Sequence, residues 1–502
     1  FGSSCRSASP PSPAHAHRPR MGAKRPIGGG RGGPAGGAGT RGVGQGPVAG
    51  PSEHEPDVAR SDASSPELGA TTAAARGAAV PAAVRVWAHA DDLRSLHDEV
   101  EAPARELGND VGTYLDATGF WETPRRARAL PDVLEQLCSK LEGRLLLEPM
   151  PTRKATDAEL RSAGATSARY LKQLSQAGRQ AQRAPQGWVW LDRDRTSAVT
   201  AHTEAAARRA VGAALDAVAW VTSSQSSGSI EQRRAFVLGR PPGHHNGCDE
   251  RLEARERQAW RFAAHGGCIF NETAVAIRHL RTRHASCRVA VLDLDAHFGD
   301  GTAWHFYDDA GVLCISLHVD QSDLHVFPYL KGKPLERGVG PGAGCTMNLP
   351  LREGMGEAEA VRLLHEFALP AIANHKPDLL FLGLGFDGLL GDPSGAGLRY
   401  TEAFFEHVVS ACCASCPRIV CTLQGGYLPE AMAEAVGSAL RVLAGGVPSR
   451  PLSSEVDADF STHLQQVKHD LEDASNWWPI ERSFAYIPEG FDVEEETGDE
   501  DY

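Results

Sequence analysis

Five short, almost unbroken apolar runs set the tightest limit on how this chain can fold: Ala235–Leu238, Val289–Leu292, Val312–Ile315, Leu379–Leu384 and Ile419–Leu423. A strand that is apolar at consecutive rather than alternate positions needs cover on both faces. That is the pattern of a parallel sheet held between two helical layers. Between the runs, Glu272–His284, Glu357–His375 and Thr401–Cys412 carry apolar residues three and four apart, and these predict helices. Pro429 suits the first turn of one more. The alternation predicts an α/β domain: a doubly wound, mostly parallel sheet with helices on both faces.

Composition matters most at the ends. Residues 1–52 hold no Asp or Glu, seven Lys/Arg, and abundant Gly, Pro and Ala. Such a stretch buries too little apolar surface to offset its chain entropy, so residues 1–81 are expected to be disordered. An acid-poor, Arg-bearing start also suits a transit peptide, although the Gly/Pro density works against the amphipathic helix most of these need. The first residue is Phe1 rather than Met, which leaves the native start open. Residues 82–448 are expected to form the main folded domain. Residues 449–502 form an extension ending in an acidic tail, which reads as a solvated segment, a contact for basic tails of another protein, or an intramolecular partner for the basic N-terminus. The net charge of −13 argues against binding nucleic acid through phosphate neutralisation. No apolar run approaches the roughly 18 residues of a membrane span. Eleven scattered cysteines do not suggest a disulfide framework. The Cys413/Cys416 pair, with no second pair in sequence nearby, reads as structural thiols.

In an open parallel sheet, sites form beyond the carboxyl ends of the strands. The five runs lead there into Gly239-Arg240-Pro241-Pro242-Gly243-His244-His245, Asp293-Leu294-Asp295-Ala296-His297-Phe298-Gly299-Asp300-Gly301, Ser316-Leu317-His318, Gly385-Phe386-Asp387 and Gln424-Gly425-Gly426-Tyr427. One such turn is unremarkable; five together point to a site. Asp295 and His297, two apart, can grip one metal ion, with Asp387 as third ligand. An isolated Asp-x-His is as well explained by a turn capping its own backbone. One imidazole and two carboxylates suit catalytic Zn²⁺ and leave Fe²⁺, Mn²⁺ or Co²⁺ open. Tandem histidines need carboxylates to orient them, and Asp293 and Asp300 are placed to serve. Asp–His dyads of this kind can deprotonate water and later protonate a leaving amine.

These residues resemble the histone deacetylase family, with class II-like and acetylpolyamine-amidohydrolase-like members as the nearest pattern. The motifs are Arg-Pro-Pro-Gly-His-His at 240–245, Asp-x-Asp-x-His-x-Gly-Asp-Gly at 293–301, Gly-Phe-Asp with Asp392-Pro393, and Gly-Gly-Tyr at 425–427. Weaker similarity runs from about Val84 to Gly446. The resemblance implies an arginase/deacetylase-like fold and a zinc-dependent deacetylase acting on N6-acetyl-lysine in histones or other proteins. It implies zinc ligands Asp295, His297 and Asp387, and a general base and acid His245 paired with Asp300. It further implies an electrostatic partner His244 paired with Asp293, and Tyr427 as donor to the acetyl oxygen. A structural K⁺ would use Asp293, Asp295, His297, Ser316 and Leu317, and Phe327 would line the substrate tunnel. The implied partners are an acetylated protein or histone tail and corepressor proteins, in the nucleus or cytoplasm, with a plastid left open.

Three positions depart from the family. Gly267 stands where an aromatic usually walls the tunnel, and is expected to widen it. Phe298 replaces a second histidine, and Gln424 replaces a glutamate. The charged stretch 249–261 reads as a loop near the tunnel mouth. Acetylpolyamine hydrolysis is the alternative reading. An arginase-like binuclear site is disfavoured because Gly299 stands where it would need an Asp. A catalytically dead binding module would be signalled by a lost ligand, histidine or tyrosine, and none is lost.

Overall fold

The computed structural model describes residues 83–88, 122, 125–149, 153–192, 196–223, 232–247, 264–321, 327–328, 331–394 and 397–472. The Gly/Pro/Arg-rich start, the 249–261 stretch and the acidic tail lie outside them. Among the described residues there are ten strands: β1 Ala83–Ala88, β2 Leu145–Pro149, β3 Trp188–Trp190, β4 Ala198–Thr200, β5 Arg233–Val237, β6 Val289–Asp293, β7 Val312–Val319, β8 Thr346–Leu351, β9 Leu379–Leu384 and β10 Arg418–Leu423. Eight form one sheet in the order β2-β1-β5-β10-β9-β6-β7-β8, while β3 and β4 make a separate antiparallel pair. Every pairing in the large sheet is parallel.

Each central strand feeds two cores because its side chains alternate between faces. Ala290 and Leu292 of β6 join Leu380, Leu382 and Leu384 of β9 in one cluster. That cluster is closed by the helices Glu402–Ser415 and Pro429–Leu443, through residues such as Phe404, Val408, Met432 and Val436. Val289 and Val291 join Leu379 and Phe381 on the other face, under the helices Ala168–Arg183, Thr203–Thr222 and Glu272–Arg283. Double cover is why these runs carry almost no polar residue.

The helix expected over Glu357–His375 is interrupted. It runs as α-helix over Glu357–Leu363, π-helix over Leu364–Ala368 and α-helix again over Leu369–His375. Pro370, which has no N–H for the helical ladder, is the second residue after the π-turn. The segment expected as a C-terminal extension supplies the helix Phe460–Glu472, whose Phe460 and Val467 are buried in the core.

Two features of the sheet position the chemistry. In sequence, β5 is followed by β6, yet β10 and β9 lie between them, so the loops after all four strands converge at one crevice. Asp293, the last residue of β6, pairs with Gly383 of β9 and Ser316 of β7. The turn that follows it, 294–299, therefore opens over the centre of that crevice.

Candidate active site

Asp295, His297 and Asp387 offer ligand atoms that all lie within 4.8 Å of one another. His297 Nδ1 is 2.9 Å from Asp387 Oδ2 and 3.3 Å from Asp295 Oδ1. The carboxylates are aimed by backbone donors: Ala296 N–H to Asp387 Oδ1 at 2.8 Å, His297 N–H to Asp295 Oδ1 at 2.9 Å, and Gly425 N–H to Asp295 Oδ2 at 2.6 Å. Burial and the neighbouring Asp295 push Asp387 up to about 7. Two buried carboxylates crowded on one imidazole make a site short of positive charge. Its donor chemistry fits a divalent ion of the zinc type.

Both histidines of the tandem are buried and paired. His244 Nδ1 lies 3.0 Å from Asp293 Oδ2, and its Nε2 lies 3.7 Å from Asp295. His245 Nδ1 lies 2.8 Å from Asp300 Oδ1. The two rings have centroids 4.0 Å apart, yet their surroundings push them in opposite directions. Burial works against charge on His244, but Asp295 and Asp293 overcome it and raise it to about 9. Burial and the charged His244 depress His245 to about 3 in spite of Asp300.

Tyr427 is half-buried. Its N–H donates to Asp392 Oδ2 at 2.6 Å, and the ring lies under the Arg126 guanidinium at 4.9 Å. Burial holds its hydroxyl well above the usual phenol range, so the proton stays available for donation. Phe327 stands edge-on to His245 at 4.9 Å and to His265 at 5.2 Å.

A carboxylate–imidazole triad, two buried Asp–His pairs and a proton-bearing tyrosine thus meet at the carboxyl ends of β5, β6, β9 and β10. A family model described as "Histone deacetylase domain" matches residues 121–443. The chain belongs to the histone deacetylase family. Histone deacetylase 6 of Caenorhabditis elegans is 30% identical over 317 residues, which is 60% of this chain and 31% of that protein. Human polyamine deacetylase HDAC10 is 35% identical over 49% of this chain and 34% of its own length. The chain therefore spans about a third of these two relatives. The chloroplastic histone deacetylase 14 of Arabidopsis thaliana is 29% identical over 67% of this chain and 75% of its own length. Among solved structures, the HDA15 HD domain superposes with a TM-score of 0.59 at 24% identity, covering 73% of this chain and 92% of that one. An acetylpolyamine aminohydrolase from Burkholderia pseudomallei gives 0.53 at 27%, covering 65% and 92%.

The departures from the histone deacetylase pattern now have physical explanations. Gln424 Oε1 accepts the N–H groups of Gly243 and His244, both at 3.1 Å, and its Nε2 donates to Glu272 Oε1 at 2.7 Å. It ties the histidine turn to the helix Glu272–Arg283 through an amide. Phe298 packs on the buried His318 ring at 5.1 Å. Gly267 has φ +76°, and a Cβ built there would meet Glu122 at 3.5 Å. That acid is ion-paired with Arg240 and Arg126, so the nearest neighbour of the missing side chain is a charged group. At Gly299 a Cβ would fall 2.4 Å from Asp293 Oδ2 and 3.2 Å from His244 Nδ1. The carboxylate that a binuclear site requires has no room there.

Of the residues expected at the K⁺ site, Asp293 and Ser316 are register partners on β6 and β7. A small cavity beside them is lined by Asp293, Ser316, Thr302, Thr346 and Asn348. Thr346 Oγ1 and Asn348 Oδ1 are buried there with no hydrogen-bond partner among the described residues, which fits an oxygen-seeking ion or a water.

Four site neighbours were given no role by the sequence. His265 and Lys331 reach Asp300, at 3.2 and 2.7 Å. Arg126 donates to the carbonyls of Gln424 and Gly426 and so braces the turn before Tyr427. Asp392 was visible only as the first half of an Asp-Pro step, yet it accepts the N–H groups of both Tyr427 and Leu428.

Proposed function

We propose that this chain hydrolyses N6-acetyl-lysine in histones or other proteins, with catalytic Zn²⁺ held by Asp295, His297 and Asp387. The observation that carries the reading is geometric: two adjacent buried histidines, each turned through Nδ1 to its own carboxylate, Asp293 and Asp300, beside a triad that calls for a cation. The ion, when bound, would supply a Lewis acid that polarises the acetyl carbonyl and acidifies water; the donor set also admits Fe²⁺. His245, neutral and with its Nδ1–H turned to Asp300, presents Nε2 to take the proton of the attacking water. His244, charged beside Asp293, contributes positive potential to the developing oxyanion. The Tyr427 hydroxyl donates to that oxygen, and His245 returns its proton to the departing amine. By family resemblance K⁺ would bind at Asp293, Asp295, His297, Ser316 and Leu317.

Acetylpolyamine hydrolysis is the second reading. It is favoured by the human polyamine deacetylase and the bacterial acetylpolyamine aminohydrolase among the similar proteins. Turnover of an acetyl-lysine peptide against acetylspermidine decides between them, with metal content measured on the same preparation. Asp387→Ala should lose both metal and turnover, and full activity with bound zinc in that variant refutes the ligand set. An acetylated protein or histone tail is the proposed partner, and corepressor proteins are a further one. No helix among the described residues is long and apolar enough to cross a membrane. The Arabidopsis and rice relatives are chloroplastic. We set a plastid beside nucleus and cytoplasm, for fractionation to decide.

A further inference from the structure

Behind His245, on the side away from the proposed metal ligands, lies a second cluster. His245, His265 and Asp300 are all buried and bring ligand atoms within 4.8 Å of one another, the arrangement of a metal site. A metal there would tie up the dyad that the mechanism needs. The cluster instead contains its own cation: Lys331 Nζ sits 2.7 Å from Asp300 Oδ2. The two oxygens of Asp300 are divided between tasks. Oδ1 faces His245 Nδ1 at 2.8 Å and accepts the Gly301 N–H at 3.0 Å. Oδ2 faces Lys331 and, at 3.2 Å, His265 Nε2.

Lys331 is delivered there by an anchored turn. The next residue, Gly332, donates its N–H to Glu336 Oε2 at 3.2 Å, and its carbonyl lies 3.0 Å from Nε2 of the buried His318. Phe327, four residues before Lys331, stands perpendicular to the His245 ring at 4.9 Å. One short segment thus supplies both a wall over the imidazole and the cation behind its carboxylate. A lysine almost never goes into a protein interior unless paired, and here the pair forms at the one carboxylate that orients the proposed base.

We infer that Lys331 is a positioning residue for His245. Its ammonium holds Asp300 Oδ2, which turns Oδ1 toward Nδ1–H of His245 and leaves the His245 Nε2 lone pair directed at the reacting water. Lys331 touches no reacting atom. This inference rests on the deacetylase reading, and its test separates the two. Full-length enzyme loaded with zinc is compared with Lys331→Met, which keeps the volume of the side chain, and Lys331→Ala, which opens a hole.

On an acetyl-lysine peptide, Lys331→Met should lower kcat by about 10- to 100-fold, the usual effect of losing an orienting partner. KM should change by no more than roughly twofold, with zinc content retained. Ethylammonium should restore part of the kcat of Lys331→Ala. The proton between His245 and Asp300 should appear as a downfield resonance in the native protein, assigned by its loss in His245→Gln, and should vanish in Lys331→Met. The inference is overturned if Lys331→Met keeps both kcat and that resonance. It is equally overturned if kcat falls only together with zinc or fold and no amine restores it. If the native enzyme turns over neither acetyl-lysine nor acetylpolyamine, the deacetylase reading fails, and the resonance still decides the role of Lys331.

Discussion

Replacing Gln424 with glutamate tests the electrostatics of the site without reference to turnover. The side chain is 1% exposed and its partner Glu272 is 4% exposed. In Gln424→Glu, the oxygen facing Gly243 and His244 keeps its two donors. The other oxygen replaces an N–H donor 2.7 Å from Glu272 Oε1. Two full charges at that separation would repel by about 6 kcal/mol at an effective dielectric near 20, so the pair keeps one proton instead.

The pH dependence follows. Burial already pushes Glu272 from 4.5 up to about 7. Between those values the folded state binds a proton that the unfolded state has lost. Native stability therefore falls as pH rises through that window, by roughly 3 kcal/mol in all, and levels off above it. The added carboxylate moves the last proton of the pair well above 7. The stability of Gln424→Glu should then keep falling beyond pH 7, at roughly 1.4 kcal/mol per pH unit.

The assay is denaturant unfolding of both proteins from pH 5 to pH 9. The gap should be small at pH 5 and widen steadily above pH 7. Adding Glu272→Gln reverses the donor and acceptor and should close the gap. A gap independent of pH, or one that the double variant leaves open, refutes the reasoning.

Three further outcomes are expected. Tyr427→Phe should lower turnover by about 10²–10³, with KM and metal content nearly unchanged, as for loss of an oxyanion donor; a stability loss with full turnover would remove it from the mechanism. His245→Ala should cost roughly 10²–10⁴ in kcat and His244→Ala less, with effects that do not add; a larger loss at His244 reverses the roles. Gly267→Ala should lower the thermal midpoint, since φ +76° strains any L side chain, while leaving acetyl turnover near native; an unchanged midpoint would show that the backbone relaxes there.

What the sequence displayed, and what it hid, follow one physical rule. Residues 289–292 and 379–384 declared themselves because strands buried on both faces exclude polar side chains. β1 did not, since Arg85 interrupts it and pairs with Glu148 on the sheet-edge strand β2. β8 did not, since it mixes Thr346, Asn348 and Pro350 with its apolar residues. The metal and histidine motifs were legible because each is a contiguous turn at a strand end. His265, Lys331 and Arg126 were not, because their roles arise across chain separations; Arg126 braces a carbonyl 298 residues away. Gly267 shows a different limit. Its identity was plain, but the direction of its open side depends on a backbone dihedral that composition does not encode.

The stretch from Asp387 to Asp392 acts as a shared mounting. At one end Asp387 faces His297, and at the other Asp392 grips the backbone of Tyr427 and Leu428. Just before Asp387, Phe386 N–H reaches across to the Gly425 carbonyl at 3.0 Å. Asp387, the proposed metal ligand, and Tyr427, the proposed hydrogen-bond donor, are therefore held by one short stretch of chain. On the proposed roles, a substitution that displaces Asp387 is expected to displace the backbone of Tyr427 with it, so loss of a metal ligand and loss of the oxyanion donor should be hard to separate at this loop.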